Sequence, residues 1–562
     1  MIIQALSEHC DLKAKSDADW PPYGFSREQI HFVMVIDSKG RLAQVADLRS
    51  GDGKEGQEII VPRAFKKSGK NVVSNFLWGN TGYVLGNDQK GKPKNAEETF
   101  KAFKKFHSEL LYGAKDKGLQ AVVLFLGQWR SEMAEKLPQW GDIAGKNVVF
   151  QLDGEKKFVH QHDEATRIWS RYYESKVVGS FEEAVCLVSG ERKRIPNTHA
   201  SIKRVWGAQS SGAAIVSFNL DAFTSYGKEQ NLNAPVGANA EFSYTTALNE
   251  LLRRNSRQRV QIGDASTVFW AEGETPVVGF LKDILDPRED GAANADLRRF
   301  LEAVREGRMP DSIEGGMKKF FILGLSPNAA RIAVRFWYVS TVEELSRRIG
   351  QHFNDLKIVK SYENEADFPG MWQLLREVAV LKKIENLSPL LGGAVMRAIL
   401  TGAAYPQALL SAVIGRIRAD QDINYYRAAL IKACIVRSAR TKNIKREVSM
   451  GWNKDEKSVA YRLGGLFAVL EKAQKDAIPS ANTTIKDRFY GSASATPSVV
   501  FPQLMRLAQH HIQKSDHGAN IEKLIEEILG DIQKFPAHLS LDDQGLFAIG
   551  YYHKKQDFFK KN

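Results

Sequence analysis

The chain has 562 residues, 43% of them hydrophobic and 26% charged, which is ordinary globular composition and argues against disorder as the default reading. Lys plus Arg number 79 against 66 acids, a formal charge of +13. A surplus of that size points to a polyanionic partner, the plain alternative being a merely basic protein.

Length sets an expectation of about two to four domains. The three cysteines, Cys10, Cys186 and Cys434, are odd in number and far apart. They form no disulfide framework or zinc pattern, and a reducing compartment fits. No run approaches the ~18 apolar residues needed to span a bilayer, and residues 1–6 lack the basic start of a signal peptide. A soluble, cytoplasmic protein without a membrane partner is expected.

Taken in chain order, the first ~360 residues mix strands and helices. Ile30–Ile36 reads as a strand ending at the turn signal Asp37-Ser38-Lys39-Gly40, and Leu42–Leu48 pairs back as a hairpin. The polar segment after Phe65 carries Lys66, Lys67, Lys70, Asn71 and Asn75, with Asn80 beyond. Amides and lysines on a flexible turn suit entry into a DNA groove; an exposed loop whose amides satisfy their own turns is the alternative. Gly86–Pro93 nearly spells a phosphate-binding loop, but Pro93 stands where a magnesium-binding Ser or Thr belongs, so nucleotide hydrolysis is not expected.

Asn95 with Glu98 reads as a capping box, followed by Phe100, Phe103, Phe106 and Leu110 at helical spacing. Val148–Leu152, Ala184–Val188 and Val268–Ala271 read as strands, and Ala240–Arg254 as a helix. Phe320–Leu325 and Arg331–Tyr338 flank Ser326-Pro327-Asn328 as a hairpin. His160-Gln-His162-Asp163-Glu164 hints at a metal site, but no supporting His or Asp pattern accompanies it, and His107, His199, His510 and His511 have none either. Gly207–Gly212 lacks the serine–glycine spacing of a nucleophile elbow. No catalytic residue, metal or cofactor is expected.

The stretch from Val205 to Pro235 is polar, glycine-rich and studded with amides and aromatics. Gln209, Ser210 and Ser211 suit contact with base edges. Asn219, Tyr226, Lys228, Asn231 and Asn233 suit a wedge or a hold on bent RNA.

After about Phe368 the strand signal disappears. Met371–Ile384, Leu390–Leu400, Gln407–Ala419, Asn424–Ala439, Val459–Lys475, Ser498–Lys514, Ile521–Lys534 and Leu541–Lys555 read as helices. The expected class is α+β: a mixed body over 1–367, a basic helical region over 368–449 and a four-helix bundle over 450–562. Arg397, Arg416, Arg418, Arg427, Lys432, Arg437, Arg440, Lys442, Lys445 and Arg446 are opposed in their stretch only by Asp420 and Asp422. They read as a phosphate track, with a solvated helix face as the alternative.

Several segments together are similar to one family. Trp20-Pro21-Pro22-Tyr23-Gly24-Phe25, Asn75-Phe76-Leu77, Tyr83-Val84-Leu85-Gly86, Gly207–Pro235, Tyr244–Asn249, Val268–Glu272 and Arg335-Phe336-Trp337-Tyr338 resemble the large subunit of the type I-C (Dvulg) CRISPR Cascade, the Csd family. The resemblance implies a non-catalytic subunit near the guide RNA's 5′ handle that binds double-stranded target DNA at its flanking motif. It implies that the subunit opens the duplex, stabilises the R-loop and recruits a helicase-nuclease. The implied partners are the guide RNA, the target, that effector, and the backbone, guide-processing and small subunits. The segment from Met450 to Phe467 resembles the start of the family's small subunit, which implies an internal translation start at Met450. The competing reading is a guide-processing ribonuclease or nuclease, for which the sequence offers no catalytic constellation; a structural DNA-binding protein outside CRISPR is a third.

Overall fold

Among the described residues, strands occur only up to Thr341 and the elements after it are helices, an α+β architecture. The computed structural model describes residues 1–51, 55–65, 72–88, 93–180, 182–218, 220–262, 265–285, 295–308, 317–530 and 532–559. The boundary drawn after residue 367 follows the loss of strands. Packing divides the chain into one unit of 1–256 with 325–334, and a second of 257–324 with 335–562.

In the first unit, a four-stranded sheet has the order Leu42–Asp47, Phe32–Ile36, Asn147–Leu152, Trp78–Asn80. The expected hairpin forms because Asp37 Oδ1 accepts from the N–H groups of Lys39 and Arg41, both at 2.9 Å, and Gly40 supplies the left-handed residue at φ +74°. Phe32–Ile36 is buried throughout, pairing parallel with Asn147–Leu152 on its other edge. Strands Phe25–Ile30 and Gln57–Pro62 pair antiparallel beside it. Phe76 is sandwiched between His107 and Trp169, with ring centroids at 5.6 and 5.5 Å. The helix over Pro93–Leu110 begins before Asn95, which lies in its first turn and is not its cap.

A further four-stranded sheet has the order Arg331–Thr341, Lys319–Asn328, Ala265–Ala271, Arg259–Ile262, residues 325–334 of its two long strands being counted with the first unit. Trp270, Phe321 and Trp337 stack on its face at 5.3–5.6 Å. The helix expected over Met371–Ile384 stops at Arg376: the backbone is extended by Ala379, at φ −78° and ψ 141°, and Leu381 and Lys382 beyond it are left-handed at φ of +57° and +55°. Helices then run Pro389–Thr401, Gln407–Asp420, Tyr425–Thr441, Val459–Ala477, Ile485–Ala493, Pro497–Lys514, Gly518–Leu529 and Leu541–Asp557. The bundle expected after Met450 thus has a fifth helix, Ile485–Ala493, started by a capping box of Thr484 and Asp487. Val459–Ala477 forms the buried centre. It crosses Leu541–Asp557 at backbone distance: a Cβ on Gly464 would lie 2.0 Å from the Phe547 carbonyl oxygen, and one on Gly550 2.0 Å from that of Tyr461. One apolar core continues from the sheet through the helices on both sides of Met450. No helix among the described residues is long and apolar enough to cross a membrane.

Candidate nucleic-acid interface

A cavity of about 450 Å³ lies within the first unit. The Phe25–Ile30 strand contributes Ser26, Arg27 and Glu28, and Arg63, Ala64 and Phe65 follow directly from the paired strand Gln57–Pro62. The helix Ala238–Leu251 adds Thr245, Thr246, Asn249 and Glu250, which share a face at i, i+1, i+4 and i+5. Residues 200–204 and 209–214 complete the wall. Asn249 fixes the first of these segments, accepting from Lys203 N at 2.8 Å and donating to the Ser201 carbonyl at 3.2 Å.

The charges around the cavity alternate. Arg27 pairs with Asp19 at 2.9 Å and Glu250 at 3.2 Å. Arg253 joins Glu250 at 3.3 Å to Glu58 at 2.9 Å, and Arg204 meets Glu58 at 2.6 Å. Lys203 pairs with Glu28 at 2.6 Å. Burial pushes the Glu250 carboxyl above its ordinary range, and Arg27 and Arg253 pull it back. Deeper, Arg63 Nη2 donates to Glu241 at 3.0 Å and to Thr245 Oγ1 at 2.8 Å, while its buried Nη1 has no hydrogen-bond partner among the described residues.

Gln209 and Ser211 are exposed at this cavity, and Ser210 between them is exposed too. Of the other groups expected to read the flanking motif, Lys66, Lys67, Lys70 and Asn71 lie outside the described residues. Asn75 is half-buried beside the Phe76 sandwich. Leu77, two residues on, has a left-handed backbone whose N–H donates to His107 Nε2 at 2.9 Å, so the segment is anchored in the core. Asn80 caps the short helix Thr81–Val84, accepting from Tyr83 N at 3.3 Å.

Two amides of the 205–235 loop, Asn231 and Asn233, brace it instead of facing outward. Asn231 is buried and donates to the Pro196 carbonyl at 2.9 Å. Asn233 accepts from Ser225 N at 3.0 Å and donates to the carbonyls of Lys228 and Gln230 at 3.0 and 2.9 Å. Arg331 sits over the Phe223 ring at 4.4 Å. Asn219 lies outside the described residues. What this bracing presents is Tyr226, which is 98% exposed. Tyr226 and Gly227 occupy a tight turn closed by Lys228 N donating to Ser225 O at 3.0 Å, with φ of +51° and +70°. Two left-handed residues in succession favour Asn-Gly, so a bulky tyrosine there is conformationally costly. Lys228 is exposed beside it.

The ten basic residues between Arg397 and Arg446 do not make one track. Arg427 is fully buried, bound to Asp420 at 2.5 Å and Glu377 at 3.3 Å. Arg437 is fully buried on Asp355, and Arg440 shares that carboxylate at 2.5 Å. Lys432 is buried and donates to the Lys357 carbonyl, and burial pushes its amine down to about 8. Arg416 pairs with Asp420, and Arg418, though exposed, donates to Gln544 at 2.8 Å. Arg397, Lys442, Lys445 and Arg446 are exposed. A buried cation held by carboxylates cannot reach a phosphate, so the expected track shrinks to this smaller set.

Sequence reasoning missed Arg27, Arg63, Lys203 and Arg204. Arg27 and Arg63 are single cations and Lys203 and Arg204 a lone pair in unremarkable stretches, and their partners stand up to 223 residues away. Three of the histidines singled out in the sequence have structural partners. His107 Nδ1 and Nε2 hold Phe103 O and Leu77 N, His160 meets Ile60 O, and His162 lies between Asp116 and Glu155. Burial holds His107 and His160 neutral, down to about 4. Met450 is exposed, and its carbonyl accepts from Val359 N at 2.8 Å.

Compared with known proteins, residues 6–559 match the family described as CRISPR-associated protein (Cas_Csd1). No curated protein matches the chain.

Proposed function

From the chain's membership of the Cas_Csd1 family of CRISPR-associated proteins, we propose that it is the large subunit of a type I-C Cascade. In this reading it is a non-catalytic, cytoplasmic protein that recognises the motif flanking a double-stranded DNA target. It opens the duplex, stabilises the R-loop and recruits a helicase-nuclease. Guide pairing supplies most of the sequence specificity and the protein reads the flanking motif. Its partners are the guide RNA, the target DNA, and the backbone, guide-processing and small subunits. The small subunit comes from an internal start at Met450 of the same gene.

The observation that carries the duplex-opening role is Tyr226. A strained turn on a braced loop holds an aromatic ring wholly in solvent, which suits insertion between base pairs or stacking on the first opened base. Gln209, Ser210 and Ser211 supply polar groups for base edges, and Arg397, Lys442, Lys445 and Arg446 supply phosphate contacts.

The experiment is a binding series with the reconstituted complex on targets carrying randomised flanking sequence. Wild type should select one class of flanking motif and make the adjacent bases reactive to permanganate. Tyr226→Asn restores the preferred turn residue, so the protein should be as stable or slightly more so. It should nevertheless open duplexes about tenfold less well, the scale of removing one base–aromatic stack. Binding that ignores both guide and flanking motif would refute the assignment, and cleavage of labelled repeat RNA by the purified chain would favour a guide-processing ribonuclease.

A further inference from the structure

We propose that the 450 Å³ cavity of the first unit accepts one unstacked nucleobase, drawn from either the guide RNA or the opened target strand. The proposal rests on the nucleic-acid-binding function above and adds to it a specific receptor for a single nucleotide.

Size is the first argument. Pockets for small organic ligands span about 300–1,000 Å³, whereas a water occupies only ~30 Å³. This cavity is therefore a ligand-sized space, far beyond a hydration site.

The lining chemistry selects the ligand. Ala200, Ala213 and Ala214 offer flat apolar surface, and Phe65 adds an aromatic wall held by stacking on Tyr173 at 5.3 Å. Such walls suit the faces of a ring. The polar groups between them offer both donors and acceptors. The side chains of Gln209, Ser211 and Thr246 make no hydrogen bond to any described residue, although Thr246 is only 7% exposed. Buried polar groups are ordinarily satisfied, so the orphan Nη1 of Arg63 is open to a polar partner, and the exposed Gln209 and Ser211 side chains can exchange water for one.

Charge argues against a bare phosphate. The cations Arg27, Lys203 and Arg204 are each already held by a carboxylate, and Glu28 and Glu250 face the same space. A dianion would meet those carboxylates. A neutral base edge, with its own donors and acceptors, would not be repelled by them.

Access runs past the exposed Gln209–Ser211 rim. Gly207 and Gly212 flank that rim with φ of +75° and +84°, and a Cβ on Gly212 would sit 2.8 Å from the Ile202 carbonyl oxygen. Glycine there lets the rim lie against the wall without narrowing the mouth.

The test is photo-crosslinking in the complete complex. One arm carries 4-thiouridine at successive guide positions, and the other 4-thiothymidine at successive target positions; mass spectrometry then maps the crosslinked peptides. One position should crosslink to peptides containing residues 200–214 or 245–250, and the arm in which it occurs tells RNA from DNA. Thr246→Val, which keeps the shape, and Gln209→Ala at the rim should each weaken nucleic-acid binding about tenfold, the scale of removing one base-edge hydrogen-bond set. Removing the base at the crosslinked position should produce the same loss, and neither variant should add to it. If the complex binds its target with normal affinity yet no position in either arm reaches these peptides, the cavity is no base receptor. If both variants bind as wild type, the proposal fails in the same way. If the complex binds no nucleic acid at all, the functional assignment itself falls.

Discussion

Arg437 and Asp355 form an ion pair inside the protein: Arg437 Nε donates to Asp355 Oδ2 at 3.0 Å, and the two side chains are 0% and 3% exposed. Arg437 also donates to the Ala398 carbonyl at 2.9 Å and lies over the Tyr405 ring at 4.4 Å. Removing Arg437 leaves the buried Asp355 carboxylate to Arg440, which already holds it at 2.5 Å, and leaves the Ala398 carbonyl without this donor. Arg437→Ala should therefore cost about 1–3 kcal/mol, less than the loss of a sole buried counter-ion, read as a lower urea midpoint.

The exposed cations behave differently. Replacing Lys442, Lys445 and Arg446 by Gln should leave the urea midpoint unchanged. If these residues touch DNA phosphates, the substitution should flatten the dependence of log K on log salt by roughly 0.9 for each phosphate no longer neutralised, equally for all target sequences. An unchanged slope would make them solvated charges.

Burial lowers His107 and His160 to about 4 and His352 to about 3, from 6.5. The unfolded chain takes up protons below pH 6.5 that the folded chain refuses. These groups thus add no slope above pH 6.5, and stability falls as pH drops from 6.5 toward 4, by up to ~1.4 kcal/mol per pH unit for each histidine. His107→Gln should lower that slope by up to one proton's worth in denaturant titrations at pH 7, 6 and 5.

Gly464→Ala and Gly550→Ala each place a methyl group 2.0 Å from a carbonyl oxygen of the facing helix. The helices must separate, at a cost of about 1–3 kcal/mol or more, seen as a lower Tm. Gly491 lies in the Ile485–Ala493 helix with open space around it. Gly491→Ala should stabilise by about 0.5–1 kcal/mol, which separates steric crowding from helix propensity.

A product starting at Met450 would keep the central Val459–Ala477 helix and its four neighbours. It would lack Ile431 and Ile435, which lie close against Gly545, and Val359, whose carbonyl accepts from the Tyr552 hydroxyl at 2.7 Å. Expression of the gene should yield a second chain of ~13 kDa, a normal domain size. That chain should expose an apolar face and bind a hydrophobic dye until it joins the complex. Met450→Leu should abolish it while the full-length chain persists; mass spectrometry finding no peptide that begins at Met450 would overturn the internal start.

Turns and helix periods are local, and they were legible in the residues. Asp37–Gly40 closes its hairpin through Asp37's own side chain. The second hairpin forms too, but Ser326, Pro327 and Asn328 belong to its first strand and the turn falls at Ala329 and Ala330, with Ala329 left-handed at φ +51°. The helix expected over Asn424–Ala439 runs Tyr425–Thr441, with Asn424 as its cap. The Met371–Ile384 reading failed because apolar spacing alone does not reveal the left-handed pair at Leu381 and Lys382. Ile485–Ala493 escaped because its nine residues sit between turn-like segments.

By itself, the sequence determined the α+β alternation, the basic surplus and the family resemblance, since each depends on residue identity and short-range order. Only the tertiary structure decided which cations face water. Arg437 and Asp355 are 82 residues apart and Arg27 and Glu250 are 223 apart, and burial, which turns a charge from a phosphate ligand into a core ion pair, depends on such distant partners. The same dependence assembled the cavity from segments between Pro21 and Ala330, of which the sequence marked only Gln209–Ser211. It also turned Asn231 and Asn233 inward as braces and left Tyr226 as the exposed group.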